Sequence, residues 1–232
     1  MQKLVVLTGA GVSAESGIST FRDKGGLWEG HDIMEVASPI GWKNNKELVL
    51  DFYNQRRRQL KDVQPNAAHF NIKKLEEEYD VTVITQNVDN LHERAGSKNI
   101  VHLHGELTKA RSTVPPYMVY EIGYEDINSG DVCEKGAQLR PHIVWFGEAV
   151  PEIENASEIC SQADIFVVVG SSLVVYPAAG LIQYVPDNVG KYIIDPAKPD
   201  IHSHYKNLIF IEDKATTGTE KLLKELNFKS TI

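Results

Sequence analysis

Apolar residues in this chain fall into short unbroken runs, set apart by longer stretches of helical spacing. The first run is Lys3-Leu4-Val5-Val6-Leu7-Thr8, and Gly9-Ala10-Gly11 breaks it. A run apolar at every position suits a strand buried on both faces, as in a parallel sheet. Val81–Thr85, Ile100–Leu103, Ile165–Val169, Lys191–Ile194 and Leu208–Ile211 repeat the pattern. Between them the spacing predicts a helix from about Asn45 to Leu60. Pro65-Asn66 opens a second, in which Ala68, Ile72, Leu75 and Tyr79 recur at helical intervals, and a last helix carries Leu222, Leu223 and Leu226. Strands alternating with helices predict an α/β fold, a doubly wound parallel sheet with helices on both faces. Two stretches have no clean period. The segment from Gly17 to Gly41 has scattered glycines and reads as a long ordered loop. From Gly105 to about Arg140, prolines, glycines and acidic residues interrupt short apolar pairs, so an inserted module with little core of its own is expected. The core is expected at approximately 1–27, 66–104 and 141–232, and the small module at approximately 28–65 and 105–140.

Composition narrows the function. The 232 residues suit one large domain or a domain with a smaller insertion, and 42% apolar residues can bury a substantial core. The net charge of −8 argues against nucleic acid as a partner and leaves room for basic ones. No apolar run approaches the roughly 20 residues of a membrane span, so no membrane association is expected. The opening MQKLVVLTGAG does not read as a signal peptide. Two cysteines, Cys133 and Cys160, give no disulfide framework, and a reducing, cytoplasmic setting is expected.

The segment Gly9-Ala10-Gly11-Val12-Ser13-Ala14 follows a strand and precedes a helix. In that context glycines let backbone N–H groups approach a pyrophosphate, and Ala14 permits close helix–strand packing. A plain tight turn fits these six residues equally well. The acidic residue that an ordinary dehydrogenase carries about 20 positions on lacks a strand here, since Glu29 and Asp32 fall in a Gly/Trp/His segment.

Read onward, the loop becomes GAGVSAESGISTFRD at 9–23. TQNVDNLHERAG follows at 85–96, HLHGEL at 102–107, LRPHIVWFGE at 139–148 and GSSLVVYPAAGL at 170–181. This ordered set resembles the sirtuin family of NAD-dependent protein deacylases, over residues 1 to about 200, with the inserted module as the main departure. The resemblance implies a Rossmann-like core and NAD consumed as co-substrate. Gly9, Ala10, Gly11, Ser13 and Ala14 match the phosphate loop, and Thr20, Phe21, Arg22 and Trp28 the flexible cofactor segment. Gln86, Asn87 and Asp89 match the residues that hold the ribose and the nicotinamide amide. Gly170, Ser171, Ser172, Asp195 and Ala215 match the adenosine side, where Asp195 replaces an asparagine of many relatives. From the residues alone His102 and His104 are equivalent candidates for a general base; the family's His-Gly dipeptide selects His104. The implied reaction begins with attack of an acyl-lysine oxygen on the nicotinamide ribose. Nicotinamide leaves and an alkylimidate forms; His104 then deprotonates a ribose hydroxyl, which attacks the imidate carbon, and with water the products are free lysine and O-acyl-ADP-ribose. Asn87 and Asp89 also read, without the resemblance, as a plain helix N-cap.

On the predicted helix Val49, Tyr53, Arg56 and Leu60 share one face. An arginine turned inward needs an anion or a carbonyl, and Tyr53 with Arg56 matches the pair of the desuccinylase-like branch, where it grips the distal carboxylate of succinyl, malonyl or glutaryl lysine. The bland alternative is an arginine paired with a nearby glutamate. Arg57 and Arg58 are expected on the solvated side. A peptide is expected to lie as an added strand between Phe146-Gly147-Glu148 and Leu173-Val174-Val175-Tyr176. Relatives hold zinc through four cysteines. Here Ser112 takes the first place and only Cys133 remains, so no metal is expected, with packing by Pro115, Tyr117, Met118, Val119 and Tyr120 in its stead. The expected partners are acyl-lysine proteins or peptides, and the expected state is a monomer. Two rival readings stay open: an ADP-ribosyltransferase, separable by product mass, and a module that senses NAD or ADP-ribose without turnover.

Overall fold

The computed structural model describes residues 1–19, 27–28, 30–199 and 205–228. In chain order its elements are β1 (Lys3–Thr8), α1 (Gly11–Ala14), β2 (Leu27–Trp28), β3 (His31–Asp32), α2 (Ile33–Val36), α3 (Pro39–Asn44), α4 (Lys46–Asp62) and α5 (Ala67–Lys74). Then come β4 (Asp80–Thr85), α6 (Leu91–Ala95), β5 (Ile100–His102), β6 (Gly105–Ser112), β7 (Val119–Glu121), β8 (Leu139–Ile143) and α7 (Ile153–Ser161). The chain continues with β9 (Ile165–Val169), β10 (Gly190–Asp195), β11 (Leu208–Glu212) and α8 (Ala215–Glu225). A 3₁₀ segment, Ala178–Tyr184, joins β9 to β10.

The unbroken apolar runs become a six-stranded sheet in the order β11-β10-β9-β1-β4-β5, every pair parallel. Each face is covered, as such strands require. On one side Ala68 and Ile72 of α5 and Ala215 and Leu222 of α8 pack on Leu4, Val6, Val83 and Val167. On the other, Ala156 and Cys160 of α7 and Leu181 and Ile182 pack on Val5, Leu7, Phe166 and Val168. The doubly wound expectation holds. Chain order reverses at β1, whose neighbours are β4 on one side and β9 on the other. Such a switch opens a crevice beyond the carboxyl ends of the strands.

Two irregular stretches differ from expectation. The described part of 17–41 is not one loop: it holds the β2–β3 hairpin, α2 and the start of α3. Local caps make these short helices. Asp32 Oδ1 accepts the Met34 N–H at 2.7 Å, Ser38 Oγ accepts the Gly41 N–H at 2.9 Å, and Pro39 occupies the first turn. Residues 105–143 form a three-stranded antiparallel sheet, β7-β6-β8. The expected packing residues do not hold it together, since Pro115, Tyr117 and Val119 are exposed and Met118 and Tyr120 half-buried. Instead Ala110 and Ile127 close on Leu50 of α4, with Trp42, Ile122 and Leu139 around them.

α4 begins one residue later and ends two residues beyond the expected helix, with Asn45 Oδ1 accepting the Leu48 N–H at 3.1 Å. Val49, Tyr53 and Leu60 are buried on it as expected. Arg57, expected in solvent, is 0% exposed. Its Nε–H donates to the Leu107 carbonyl at 2.7 Å and its NH1 to Asn54 Oδ1 at 2.6 Å. Asn54 in turn bonds both the N–H and the C=O of Ile127. Backbone acceptors on the small sheet therefore draw the guanidinium inward. Arg58 is exposed and ion-paired with Asp126.

Candidate functional site

One cavity of about 730 Å³ opens at the switch point, where β1, β4 and β9 end in Gly9, Gln86 and Gly170. Its lining includes Asp195 at the end of β10, Lys214 and Ala215 at the start of α8, Tyr53 and Arg56 of α4, and Trp145. Of the residues singled out from the sequence, it gathers Gly9, Ala10, Gly11, Ser13, Ala14 and Trp28 from the amino-terminal segment. From later in the chain come Gln86, Asn87, Asp89, His104, Gly170, Ser171, Ser172, Asp195 and Ala215, and Tyr53, Arg56, Phe146, Gly147, Glu148 and Val175 line it as well. Thr20, Phe21 and Arg22 lie outside the described residues.

The glycines act here chiefly by letting two turns touch. Gly11 N–H donates to the Gly170 carbonyl at 2.9 Å and Gly9 N–H to the Val169 carbonyl at 3.1 Å. A Cβ on Gly11 would sit 2.6 Å from Gly170 Cα; one on Gly170, where φ is +61°, would sit 2.4 Å from Val12 N. These two amides are thus engaged inside the protein, and what Gly9 and Gly11 offer a phosphate is room rather than donors.

Behind the turns lies a buried polar cluster. Ser13 Oγ–H donates to Asp89 Oδ2 at 2.9 Å, and Asp89 Oδ1 accepts the Leu91 N–H at 3.1 Å, so Asp89 both caps α6 and faces the cavity. Burial raises its carboxyl, opposed by those two donors. Asn87 Nδ2 donates to the Gly9 carbonyl at 3.1 Å and to Ser13 Oγ at 3.2 Å. Gln86 Nε2 reaches Ser171 Oγ at 2.9 Å, tying the two halves of the cavity floor.

The two candidate histidines separate in space. β5 ends at His102, and Leu103-His104 forms a bend before β6. Its Nδ1 lies 2.9 Å from the Gln86 carbonyl, which can only accept. The ring proton is therefore on Nδ1 and Nε2 is left as an acceptor. Burial lowers the His104 pKa, opposed by that hydrogen bond, and keeps the ring neutral. His102 does not line the cavity. Its Nε2 meets Glu93 Oε1 at 2.5 Å; burial opposes its protonation, but Glu93 prevails and its pKa is raised.

Beside α4, the Trp145 indole N–H donates to the Tyr53 hydroxyl at 3.0 Å, leaving the phenol proton free to donate. Burial pushes the Tyr53 phenol up, so it keeps that proton. The Arg56 guanidinium lies 4.5 Å from the Phe52 ring centroid, and Trp28 packs edge-on to Phe52 at 4.9 Å. Glu148, expected to meet a peptide, has both oxygens engaged within the protein. They accept from Arg111, from Arg140 and from the Trp145 N–H at 2.8 Å. Leu173 packs into the core, while Val174 and Tyr176 are exposed.

In the small sheet Ser112 Oγ–H donates to the Val114 carbonyl at 2.5 Å, and Cys133 is a buried free thiol. One thiol and a hydroxyl do not make a tetrahedral zinc site. Among the described residues, Glu93, His102 and Glu106 bring three possible ligand atoms within 4.8 Å of one another. Lys109 Nζ already donates to Glu106 at 2.8 Å, balancing charge there. Sequence reading missed Arg140, Trp145 and Lys214. WFGE, at the end of the 139–148 segment, holds the signal for Trp145; the Arg140–Glu148 clamp leaves none.

The Sir2 family model matches residues 9–177. The "NAD-dependent protein deacylase" of Bacteroides thetaiotaomicron is 54% identical over 227 residues, covering 96% of this chain and 97% of that protein. One of the same name from Helicobacter pylori is 53% identical over 226 residues, covering 97% and 98%. Among solved structures, a Sir2 homolog–NAD complex superposes with a TM-score of 0.85 at 38% identity, covering 97% of this chain and 89% of that one. A Sir2–p53 peptide–NAD+ structure does so with 0.79 at 29%, covering 97% and 94%.

Proposed function

The chain belongs to the Sir2 family and is an NAD-dependent protein deacylase; from that premise we propose that His104 is its general base and that it prefers succinyl- or malonyl-lysine to acetyl-lysine. NAD is the co-substrate, and protein or peptide lysines are the acyl donors. The single observation that carries the base assignment is the His104 ring: proton fixed on Nδ1 by the Gln86 carbonyl, Nε2 bare, pKa lowered by burial, all at the cavity wall.

NAD supplies an electrophilic ribose carbon and a nicotinamide leaving group. The rest is supplied by the chain. Gly9, Ala10, Gly11, Ser13 and Ala14 make room for the pyrophosphate. Gln86, Asn87 and Asp89 orient the ribose and amide, and Gly170, Ser171, Ser172, Asp195 and Ala215 take the adenosine side, with Trp28 at the cavity wall; Thr20, Phe21 and Arg22, assigned to the same cofactor segment, lie outside the described residues. His104 Nε2 removes a ribose hydroxyl proton so that the oxygen can attack the activated acyl carbon. The cavity volume, the paired turns and the absence of a Cβ at Gly9 and Gly11 are compatible with a dinucleotide. Tyr53 and Arg56 form the acyl end, a donor hydroxyl and a guanidinium suited to a distal carboxylate. The peptide pairs with the main chain of 146–148 and 173–176, reading little of its own sequence. We divide the chain into a core of approximately 1–27, 66–104 and 141–232 and a small module of the remainder, take it as a monomer, and assign it no zinc.

A panel of acyl-lysine peptides incubated with NAD, with products identified by mass, tests this reading. O-acyl-ADP-ribose and free lysine are expected, fastest from succinyl or malonyl peptides. ADP-ribosylated peptide would overturn the chemistry, and a faster acetyl reaction the specificity. Among the described residues no helix is long and apolar enough to cross a membrane.

A further inference from the structure

Two histidines lie beneath the cavity floor, outside the base assignment. His69, on α5, is 0% exposed and His92, on α6, is 2% exposed. Their rings meet edge to face at 4.9 Å. α5 is opened by a reciprocal cap, with Asn66 Oδ1 accepting the Ala68 N–H at 2.9 Å while the Asn66 N–H donates to His69 Nδ1 at 3.2 Å. A backbone amide can only donate, so Nδ1 is bare and the single ring proton sits on Nε2.

Nε2 faces Ser13 Oγ at 3.5 Å, and carrying the proton it can only donate there. Ser13 Oγ also receives Asn87 Nδ2 at 3.2 Å. With two donors directed at its lone pairs, the hydroxyl has one use left for its own proton, which is Asp89 Oδ2 at 2.9 Å. The order of donors is therefore one-way, from the cap of α5 through His69 and Ser13 to Asp89. A protonated His69 would set Nδ1–H against the Asn66 N–H and break the first link. Burial prevents this, pushing His69 down to about 4, with His92 held neutral beside it.

We propose that His69 is a positioning residue of the deacylase: its Nε2–H fixes the direction of the Ser13 hydroxyl and, through it, the orientation of Asp89 toward the bound dinucleotide. The proposal rests on the reading of the cavity as the NAD site.

Two substitutions divide the ring's two jobs. His69→Asn places an oxygen near the Nδ1 position, keeping the cap on Asn66 but removing the donor to Ser13. His69→Gln places an amide near the Nε2 position, keeping the donor but losing the cap. Steady-state kcat and KM for NAD, measured on folded enzyme with the best acyl peptide, are read beside thermal midpoints. His69→Asn should lower kcat/KM for NAD by roughly 3- to 10-fold, the worth of one neutral hydrogen bond, with the smaller change in midpoint. His69→Gln should stay within about twofold of wild-type activity while melting lower. If both variants lose activity in proportion to lost stability, or neither loses any, His69 only packs and caps, and the proposal falls. Should His69→Asn fail to fold, His69→Leu, which lacks both ring nitrogens, takes its place beside His69→Gln: turnover at least about threefold lower in His69→Leu than in His69→Gln at a temperature where both are folded supports the relay, and equal turnover overturns it. A wild-type chain that does not turn over NAD overturns the functional reading and this proposal together, whereas with wild-type turnover intact the two variants bear on His69 alone.

Discussion

A base fixed in one tautomer makes a pH prediction with a definite sign. His104 must be neutral to accept a proton, and burial lowers its pKa from the ordinary 6.5. The chemical step should thus be flat above pH 6.5 and decline only as acidity passes through the lowered value; a kcat profile whose acid limb lies above 6.5 would contradict the assignment. His104→Tyr should abolish deacylation with NAD affinity held within a few-fold, checked by turnover beside calorimetric binding. Arg56 gives a second test of the same kind. A charge-assisted contact to a distal carboxylate contributes on the order of 1.5–3 kcal/mol, or roughly 10- to 150-fold in efficiency. Arg56→Met should cost succinyl peptides that much and leave acetyl peptides unchanged or slightly faster, reversing the order. Equal losses would show that Arg56 is structural.

Elements show where a packing rule leaves no slack. The turns after β1 and β9 touch through Gly11 and Gly170, and Gly170→Ala would force a Cβ to 2.4 Å from Val12 N at a φ of +61°. Backbone strain and a main-chain clash together should remove on the order of 3 kcal/mol or more, seen in thermal unfolding, and lower NAD affinity because both turns border the cavity. α4 teaches a different lesson. Arg57→Ala leaves the Leu107 carbonyl and Asn54 without their donor and opens a cavity, at a cost of roughly 2–4 kcal/mol; Arg57→Met fills the volume and should cost less. The six parallel strands were legible because each is apolar at successive positions, and α4 because Val49, Tyr53 and Leu60 recur on one face. Arg57 was not, since its acceptors are the Leu107 carbonyl and Asn54, and no spacing rule sees a carbonyl 50 residues away. β6 escaped for a related reason. It reads Gly-Glu-Leu-Thr-Lys-Ala-Arg-Ser, and its polar side chains are held by ion pairs, Lys109 with Glu106 on the same strand and with Glu121 of β7, and Arg111 with Glu148 beyond β8. The blocks that brought the cavity residues together were readable; that Glu148 faces inward to Arg140 and Arg111 was not.

Across the whole molecule, side chains from neighbouring elements fasten the small sheet to its surroundings. Arg57 and Asn54 reach it from α4, and Glu148 joins Arg111 of β6 to Arg140 of β8, whose guanidinium stacks on Trp145 with its carbon 3.2 Å from the ring centroid. Metal analysis of untagged protein is expected to find far less than one zinc per chain, with chelators leaving the thermal midpoint unmoved; a stoichiometric metal would show that a ligand set has been overlooked. The position of β1 has a consequence of another kind. It is the hub of the sheet, yet one partner, β9, follows far along the chain; the Lys3 N–H meets the Asp164 carboxylate across 161 residues. At roughly 5–20 residues per second of synthesis, β1 waits about 8–30 s for that neighbour, a sticky apolar ribbon with one edge unmatched. During that interval the nascent chain is a customer for chaperones, and the distance between its pairing strands predicts slow refolding from denaturant.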